Sequence, residues 1–180
     1  MKSKNLYILF ILGLLISCEK SKPKDKFVDN FVFSVSGMDS DYSMKFTKND
    51  TVYIERRFPW PTEHSYFIIQ EKEKENVLKL ASDIKFSKYD SIYDQYLVNH
   101  LVDVTGYKFY VEKGRKKNWI YIYGDIGPKE FYAFSVLLNN LKKKQTLHKS
   151  TKEVDFGNLE HILLPEPPSP PTIEEKINSH

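Results

Sequence analysis

Tyr107-Lys108-Phe109-Tyr110-Val111-Glu112 and Trp119-Ile120-Tyr121-Ile122-Tyr123 flank the polar stretch Gly114-Arg115-Lys116-Lys117-Asn118. In the first run Tyr107, Phe109 and Val111 alternate with Lys108, Tyr110 and Glu112. That period of two puts successive side chains on opposite faces of a strand. In the second run both faces are apolar or aromatic, which predicts a strand covered on both sides and central in its sheet. The Gly-containing segment between them predicts a hairpin turn.

The same period runs upstream. Phe31, Phe33 and Val35 share one strand face, ending at Gly37, and Asp39-Ser40-Asp41 is a turn cluster. Tyr42, Met44 and Phe46 alternate with Ser43, Lys45 and Thr47. Asn49-Asp50 separates this run from Thr51-Val52-Tyr53-Ile54-Glu55-Arg56. Both residues tolerate a left-handed backbone, so a tight type I′ hairpin is expected. Phe58-Pro59-Trp60-Pro61 reads as a loop, because proline has no backbone donor for a central ladder. His64 to Gln70 reads as a fourth strand.

From Glu71 to Phe86 the period changes. Val77, Leu80, Ala81 and Ile84 fall on one helical face, and Glu71, Glu73 and Glu75 gather where the helix dipole favours anions. Residues 87–105 read as a connection with at most one helical turn. A second helix opens at Gly127-Pro128, buries Phe131, Phe134, Leu138 and Leu141, and ends in Lys142-Lys143-Lys144. Four strands, a helix, two strands and a helix predict an α+β fold: an antiparallel sheet of about six strands with two helices packed on one face. This domain is expected over 27–148, followed by an arm over 149–164 that carries Ile162-Leu163-Leu164. The segment from Pro165 to His180, rich in proline, is expected to be a disordered tail.

The amino terminus has a different logic. Lys2 and Lys4 precede an almost wholly apolar run of eleven residues, Leu6 to Ile16. As a helix it would span roughly 16 Å, short of the roughly 30 Å hydrocarbon core of a bilayer. A basic start, a short apolar run and a small residue make a secretory signal over 1–17. Leu15-Ile16-Ser17-Cys18 resembles the lipobox of bacterial lipoproteins, and Cys18 is the single cysteine of the chain. The resemblance implies cleavage before Cys18, acylation of its sulfur (palmitate or a similar chain) and attachment to the cell envelope. Glu19 stands where the inner-membrane retention signal of enteric lipoproteins has Asp, which implies the outer membrane. Residues 18–26 then form a charged, solvated tether.

Composition excludes other classes. With one Cys there is no disulfide framework and no Cys-based zinc site. Without Lys2 and Lys4 the chain has 25 Lys and Arg against 24 Asp and Glu, which gives no electrostatic footprint for nucleic acid. The strand and helix order, with an aromatic hairpin leading into Gly124-Asp125-Ile126-Gly127-Pro128, resembles small uncharacterised lipoprotein domains over about residues 28–145. That resemblance implies a β-meander backed by two helices; such domains have no established activity, so no function carries over from it.

Chemistry-bearing motifs are few. There is no nucleophile elbow, phosphate loop or His-Glu-x-x-His. His64, His100, His148, His161 and His180 are scattered without metal-ligand spacing, and Asp39-x-Asp41 lacks the rest of a calcium loop. Asp125 reads as a helix cap, and Asp90 and Asp94 have no general-acid partner. No catalytic residue, cofactor or metal is expected. The expected role is non-catalytic: binding or structure at the envelope, with the membrane engaged through Cys18 and an envelope protein or glycan as partner. The alternative is an envelope hydrolase with an unrecognised carboxylate site at Asp125, Asp90 or Asp94. The possible binding surface is aromatic: Phe58, Trp60, Tyr89, Tyr93 and Tyr96 all fall in segments read as loops, where recognition residues concentrate.

Overall fold

A computed structural model of the chain describes residues 27–100 and 104–163. The signal, Cys18, the tether and the Pro-rich tail lie outside these residues. The domain is α+β, with a mostly antiparallel sheet of eight strands. In chain order the elements are β1 (Asn30–Ser36), β2 (Asp41–Thr47), β3 (Thr51–Phe58), β4 (Glu63–Ile68), α1 (Glu71–Asp83), β5 (Ile92–Asp94), α2 (Gln95–Asn99), β6 (Gly106–Lys113), β7 (Lys116–Tyr123), α3 (Lys129–Lys143) and β8 (His148–Lys149). Across the sheet they run β5-β7-β6-β1-β2-β3-β4-β8. All pairings are antiparallel except that of β5 with β7.

The sequence-based count of six strands and two helices is thus too small. The additions are β5, α2 and β8, elements of two to five residues that carry no periodic signal of their own. The strand of Trp119–Tyr123 is also not central. Only the three-residue β5 lies beyond it, and the centre belongs to β1 and β6. In β1 all five residues from Phe31 to Val35 are buried, on both faces.

One face packs against the helices. Phe31, Phe33, Met44, Phe46, Ile54, Phe67, Phe109, Val111, Ile120 and Ile122 meet Val77, Leu78 and Ala81 of α1 and Phe131, Phe134, Leu138 and Leu141 of α3. Aromatic rings form the centre of this layer. Phe109 lies 5.2 Å from Phe33, 5.0 Å from Phe131 and 5.8 Å from Phe134, and Phe31 stacks on Phe134 at 5.2 Å. Helix α1 is shorter than its sequence pattern and rotated from it. It stops at Asp83, because Ile84 is extended, and it buries Leu78 while Leu80 faces outward. The hairpin between β2 and β3 is not a type I′ turn. Three residues, Lys48 to Asp50, connect the strands, and neither Asn49 nor Asp50 has positive φ. In the β6–β7 hairpin, Gly114 supplies the left-handed residue at φ 58°, and β7 begins at Lys116 rather than Trp119.

The other face is closed by the arm that follows β8. Phe156 packs on Val32 and Tyr110, with Val154, Leu159, Tyr53 and Trp119 around it. The ring of His161 stacks on Tyr121 at 5.4 Å. The arm turns at Gly157 (φ 71°), where a Cβ would sit 2.7 Å from the Tyr110 ring. Beneath it Lys108 is 1% exposed. Its ammonium donates to Asn158 Oδ1 at 2.9 Å and to the Glu160 carbonyl at 2.6 Å, and lies over the Trp119 ring. Its pKa is pulled by burial from 10.5 to about 8.

This lysine has a measurable consequence. Between about pH 8 and 10.5 the unfolded chain holds the Lys108 proton and the folded chain does not. Its contribution to stability is therefore present above the upper value and lost as pH falls toward the lower one. Burial raises the phenol pKa values of Tyr42 and Tyr110, which oppose this trend above pH 10. Chemical denaturation from about pH 8 to about pH 10 is expected to give a rising unfolding free energy in wild type and a flatter profile in Lys108→Met. Equal slopes in the two proteins would show that Lys108 does not titrate in this window.

Candidate functional site

The strand directions divide the loops between two ends of the sheet. The chain enters at Asn30 together with the β2–β3 and β6–β7 turns, since Asn30 pairs with Thr47 and Glu112. At the other end lie the β1–β2 loop, the β3–β4 loop, the start of β6, the turn from β7 into α3, and α2. Seven residues from Asn30 to Ser36 separate the two ends by roughly 20 Å.

The far end carries large exposed apolar side chains. Trp60 is 78% exposed, Leu97 72%, Met38 71% and Val98 69%, and Phe58, Tyr96 and Ile126 are exposed as well. A cleft of about 330 Å³ lies among Gly37, Met38, Phe58, Val104 and Tyr123, between the ends of β3 and β7. The β3–β4 loop turns through cis bonds at Phe58-Pro59 and Trp60-Pro61, and Arg56 Nη1 donates to the Pro59 carbonyl at 2.9 Å. At the opposite side Asp94 caps α2 by accepting from the Tyr96 amide at 2.9 Å. Gln95 is buried, and its side chain occupies the space a Cβ at Gly124 (φ 91°) would need. Gln95 Oε1 accepts from the Asp125 amide at 2.9 Å, which fixes α2 to the end of β7.

The five aromatic residues read as a binding surface separate into two groups. Phe58, Trp60 and Tyr96 stand on the exposed rim. Phe58 closes β3 and Tyr96 lies in α2, so these two are not loop residues as the sequence had it. Tyr89 and Tyr93 pack partly against the helix-side core, Tyr89 edge-on to Phe131 at 5.2 Å, and Tyr93 belongs to β5. The Tyr89 hydroxyl donates to Glu130 at 2.5 Å, which raises the phenol pKa and lowers that of the carboxylate. Met38 and Ile126 are isolated apolar residues beside Gly and Asp, and Tyr96-Leu97-Val98 is too short a run to show a period, so Met38, Leu97, Val98 and Ile126 carry no sequence signal of exposure.

The carboxylates are dispersed. Asp94 is the cap of α2, and the Asp90 amide donates to the Tyr93 hydroxyl. Asp125 does not cap α3, whose first position follows Pro128 without a side-chain cap. The turn into α3 is instead closed by Tyr132, which donates to the Gly124 carbonyl and accepts from the Gly127 amide, both at 2.9 Å. None of Asp90, Asp94 and Asp125 lines any of the three clefts described in this section and below. Among the described residues no three His, Cys, Asp or Glu side chains are placed to hold a metal ion, and no helix is long and apolar enough to cross a membrane.

Asp41, read as a turn residue, starts β2 and is buried. Arg57 donates through Nε to Asp41 at 2.7 Å and through Nη1 to Ser43 at 2.8 Å, and Ser43 bonds Ser34 at 2.7 Å. This network fills the part of the second face beyond the arm, near the rim. The two basic runs stay apart: Arg115-Lys116-Lys117 is at the chain-entry end, while Lys142 lies over Tyr42 at the far end. Between α1 and α3, Val77, Leu137 and Leu141 line a further groove of about 330 Å³.

No protein-family model matches the chain, and no curated protein does.

Exposure separates the rim from the scaffold energetically. Trp60→Ala is expected to change the unfolding free energy by less than about 0.5 kcal/mol. Phe131→Ala, which empties the space between Tyr89 and Phe109, is expected to lower it by about 3–5 kcal/mol. Urea denaturation of both variants checks this; a Trp60→Ala loss near that of Phe131→Ala would make the loop part of the core.

Proposed function

We propose that the chain is a lipid-anchored cell-envelope protein, tied to the membrane through Cys18, that holds a protein partner on its apolar rim and catalyses no reaction. The observation that carries this reading is that Met38, Phe58, Trp60, Tyr96, Leu97, Val98 and Ile126 all lie exposed at one end of the sheet. Exposed apolar groups gathered on one surface mark sites of association, and aromatic residues dominate the energetics of such contacts. A protein surface fits better than a glycan, since Met38, Leu97 and Val98 offer no hydrogen bonds.

An anchor at Cys18 and a binding rim at the far end of the sheet are compatible. The described chain begins at Phe27, beside the Asn30 end of the sheet, so a lipid on Cys18 would hold that end toward the bilayer and leave the rim away from it. The turns at the entry end expose Lys113, Arg115 and Lys116, which suits an anionic lipid surface. Lys48 bonds Asp29 there at 2.8 Å, and the Asp29 carboxylate also accepts from the Gly114 amide at 2.6 Å, so the chain entry is fastened to both turns. The outer membrane follows from Glu19, and orientation toward the periplasm or the medium follows the fate of the tether in export.

Two measurements test the reading. Metabolic labelling with an alkyne fatty acid is expected to mark the wild-type chain and leave Cys18→Ser unmarked; equal labelling rejects the anchor. A photo-crosslinking residue placed at Trp60 or Leu97 is expected to give one discrete adduct in intact cells, and the same residue at Lys79 on the outer face of α1 none. Identical patterns at all three positions reject the rim as the contact surface.

A further inference from the structure

A second surface of the domain has the chemistry of a ligand site. Helix α3 ends at Lys143, before it has covered the corner formed by β3, β4 and β8. Val52, Ile54 and Phe67 are buried under the helix layer, but Ser65, Arg56 and Glu63 on the same face run out from beneath it. The chain then descends through Leu147 to β8 at the sheet edge, where Lys149 pairs with Ser65 and faces the same side. What remains is a cleft of about 490 Å³, with Ile54 and Leu147 among its lining residues and Ser65, Ser150 and Thr151 on its walls. That volume is in the range that small ligands occupy.

Its charges are unbalanced. Arg56, Lys142 and Lys149 line it, with Glu63 as the one carboxylate, an excess of two positive charges. His64 also borders it, but register turns its ring to the opposite face, where Nδ1 lies 3.9 Å from Glu55. Glu63 is engaged by Arg56 at 2.7 Å. Lys142 has no carboxylate within ion-pairing distance among the described residues. It is half-buried, and its ammonium rests 3.5 Å from the centre of the Tyr42 ring, whose hydroxyl in turn donates to Asn139 one turn back in α3. Burial, then the charges of Arg56 and Lys143, lower the pKa of Lys142. The fold therefore holds an ammonium in a set position on an aromatic face, beside a like charge and without a counter-ion. Lys142 lies in the last turn of α3, where the negative helix end offsets part of this repulsion.

We infer that this cleft binds an acidic saccharide unit, a sugar-sized ligand whose carboxylate or phosphate lies between Lys142, Lys149 and Arg56 while its ring rests on Ile54 and Leu147 with its hydroxyl groups toward Ser65, Ser150 and Thr151. A bare inorganic anion would leave the apolar floor and the hydroxyl walls unused, and a neutral sugar would leave Lys142 without an anion. The inference stands independently of the partner on the rim, because neither Trp60 nor any residue of α2 lines the cleft.

Isothermal titration of the full chain in detergent micelles, with glucuronate, glucose 6-phosphate, glucose and inorganic phosphate as probes, tests it. At least one of the two acidic sugars is expected to bind about tenfold or more tightly than both glucose and phosphate, and which one does so separates the carboxylate from the phosphate source. Lys142→Gln and the exposed Lys149→Gln are each expected to weaken that binding by about tenfold, the loss of one charge-assisted contact. Lys142→Arg is expected to restore it, and Lys143→Gln, outside the cleft, to leave it unchanged. No binding of either acidic sugar up to about 20 mM overturns the inference, as does phosphate binding as tightly as glucose 6-phosphate, or a Lys143→Gln loss equal to that of Lys142→Gln. Crosslinking from Trp60 is unaffected by any of these cleft variants, so failure here leaves the rim reading to its own test.

Discussion

Strand β1 and its neighbour β6 are buried on both faces, and the rest of the domain is arranged to meet that requirement. A strand with Phe31, Phe33 and Val35 on one side and Val32 and Ser34 on the other is stable only if something covers each side. Helices α1 and α3 cover the first with a layer of rings centred on Phe109. The second is covered by the arm, an irregular segment that brings Phe156 and Ile162 and hydrogen bonds to Lys108 in place of a second layer of regular structure. A buried ammonium is tolerated there because two oxygen acceptors and the Trp119 face meet it.

Covering the two faces leaves the sheet's ends and one corner open, and those openings are where binding chemistry collects. At the far end the strands turn in loops that the helices and arm do not reach, so apolar residues there stay in water. At the β3–β4–β8 corner α3 is too short to close the cleft, and among the described residues Lys142 there has no carboxylate partner. Both features follow from the same cause: the covering elements are just long enough for the centre of the sheet. Loops and corners held by a rigid scaffold are suited to recognition because their side chains are positioned without being needed for folding.

The sequence displayed what depends on periodicity. Alternation marked the six long strands, and the face of Phe131, Phe134, Leu138 and Leu141 located α3 and its buried side. Features built without periodicity stayed hidden. Val154, Phe156, Leu159 and Ile162 lie in a segment that forms no helix or strand and sustains neither period, so of the arm only the run Ile162-Leu163-Leu164 stood out. The apolar run Trp119 to Tyr123 suggested a central strand, yet the same pattern arises when an interior strand is covered by an arm on one face and helices on the other. Tyr89 and Tyr96 looked alike in sequence, and only their distances from Phe131 decide that one packs inward and the other stands on the rim. Lys142 was legible as a helix-end cation, but its convergence with Arg56 needs the three-dimensional path of β3. Cys18 is the reverse case: the lipobox resemblance is confined to residues outside the described domain, and only the sequence speaks of it.

The central claim is that the two-sided core carries the stability while the rim carries none, so that scaffold and binding surface are separate. Native-state hydrogen exchange measures this residue by residue. Amides of β1 and β6, Val32, Ser34, Phe109 and Tyr110 among them, are expected to exchange only through global unfolding, while those of Trp60 and Leu97 exchange through small local openings. Protection at Trp60 and Leu97 as high as in β1 would contradict the account, because the rim would then be part of the folding core rather than a surface left free to bind.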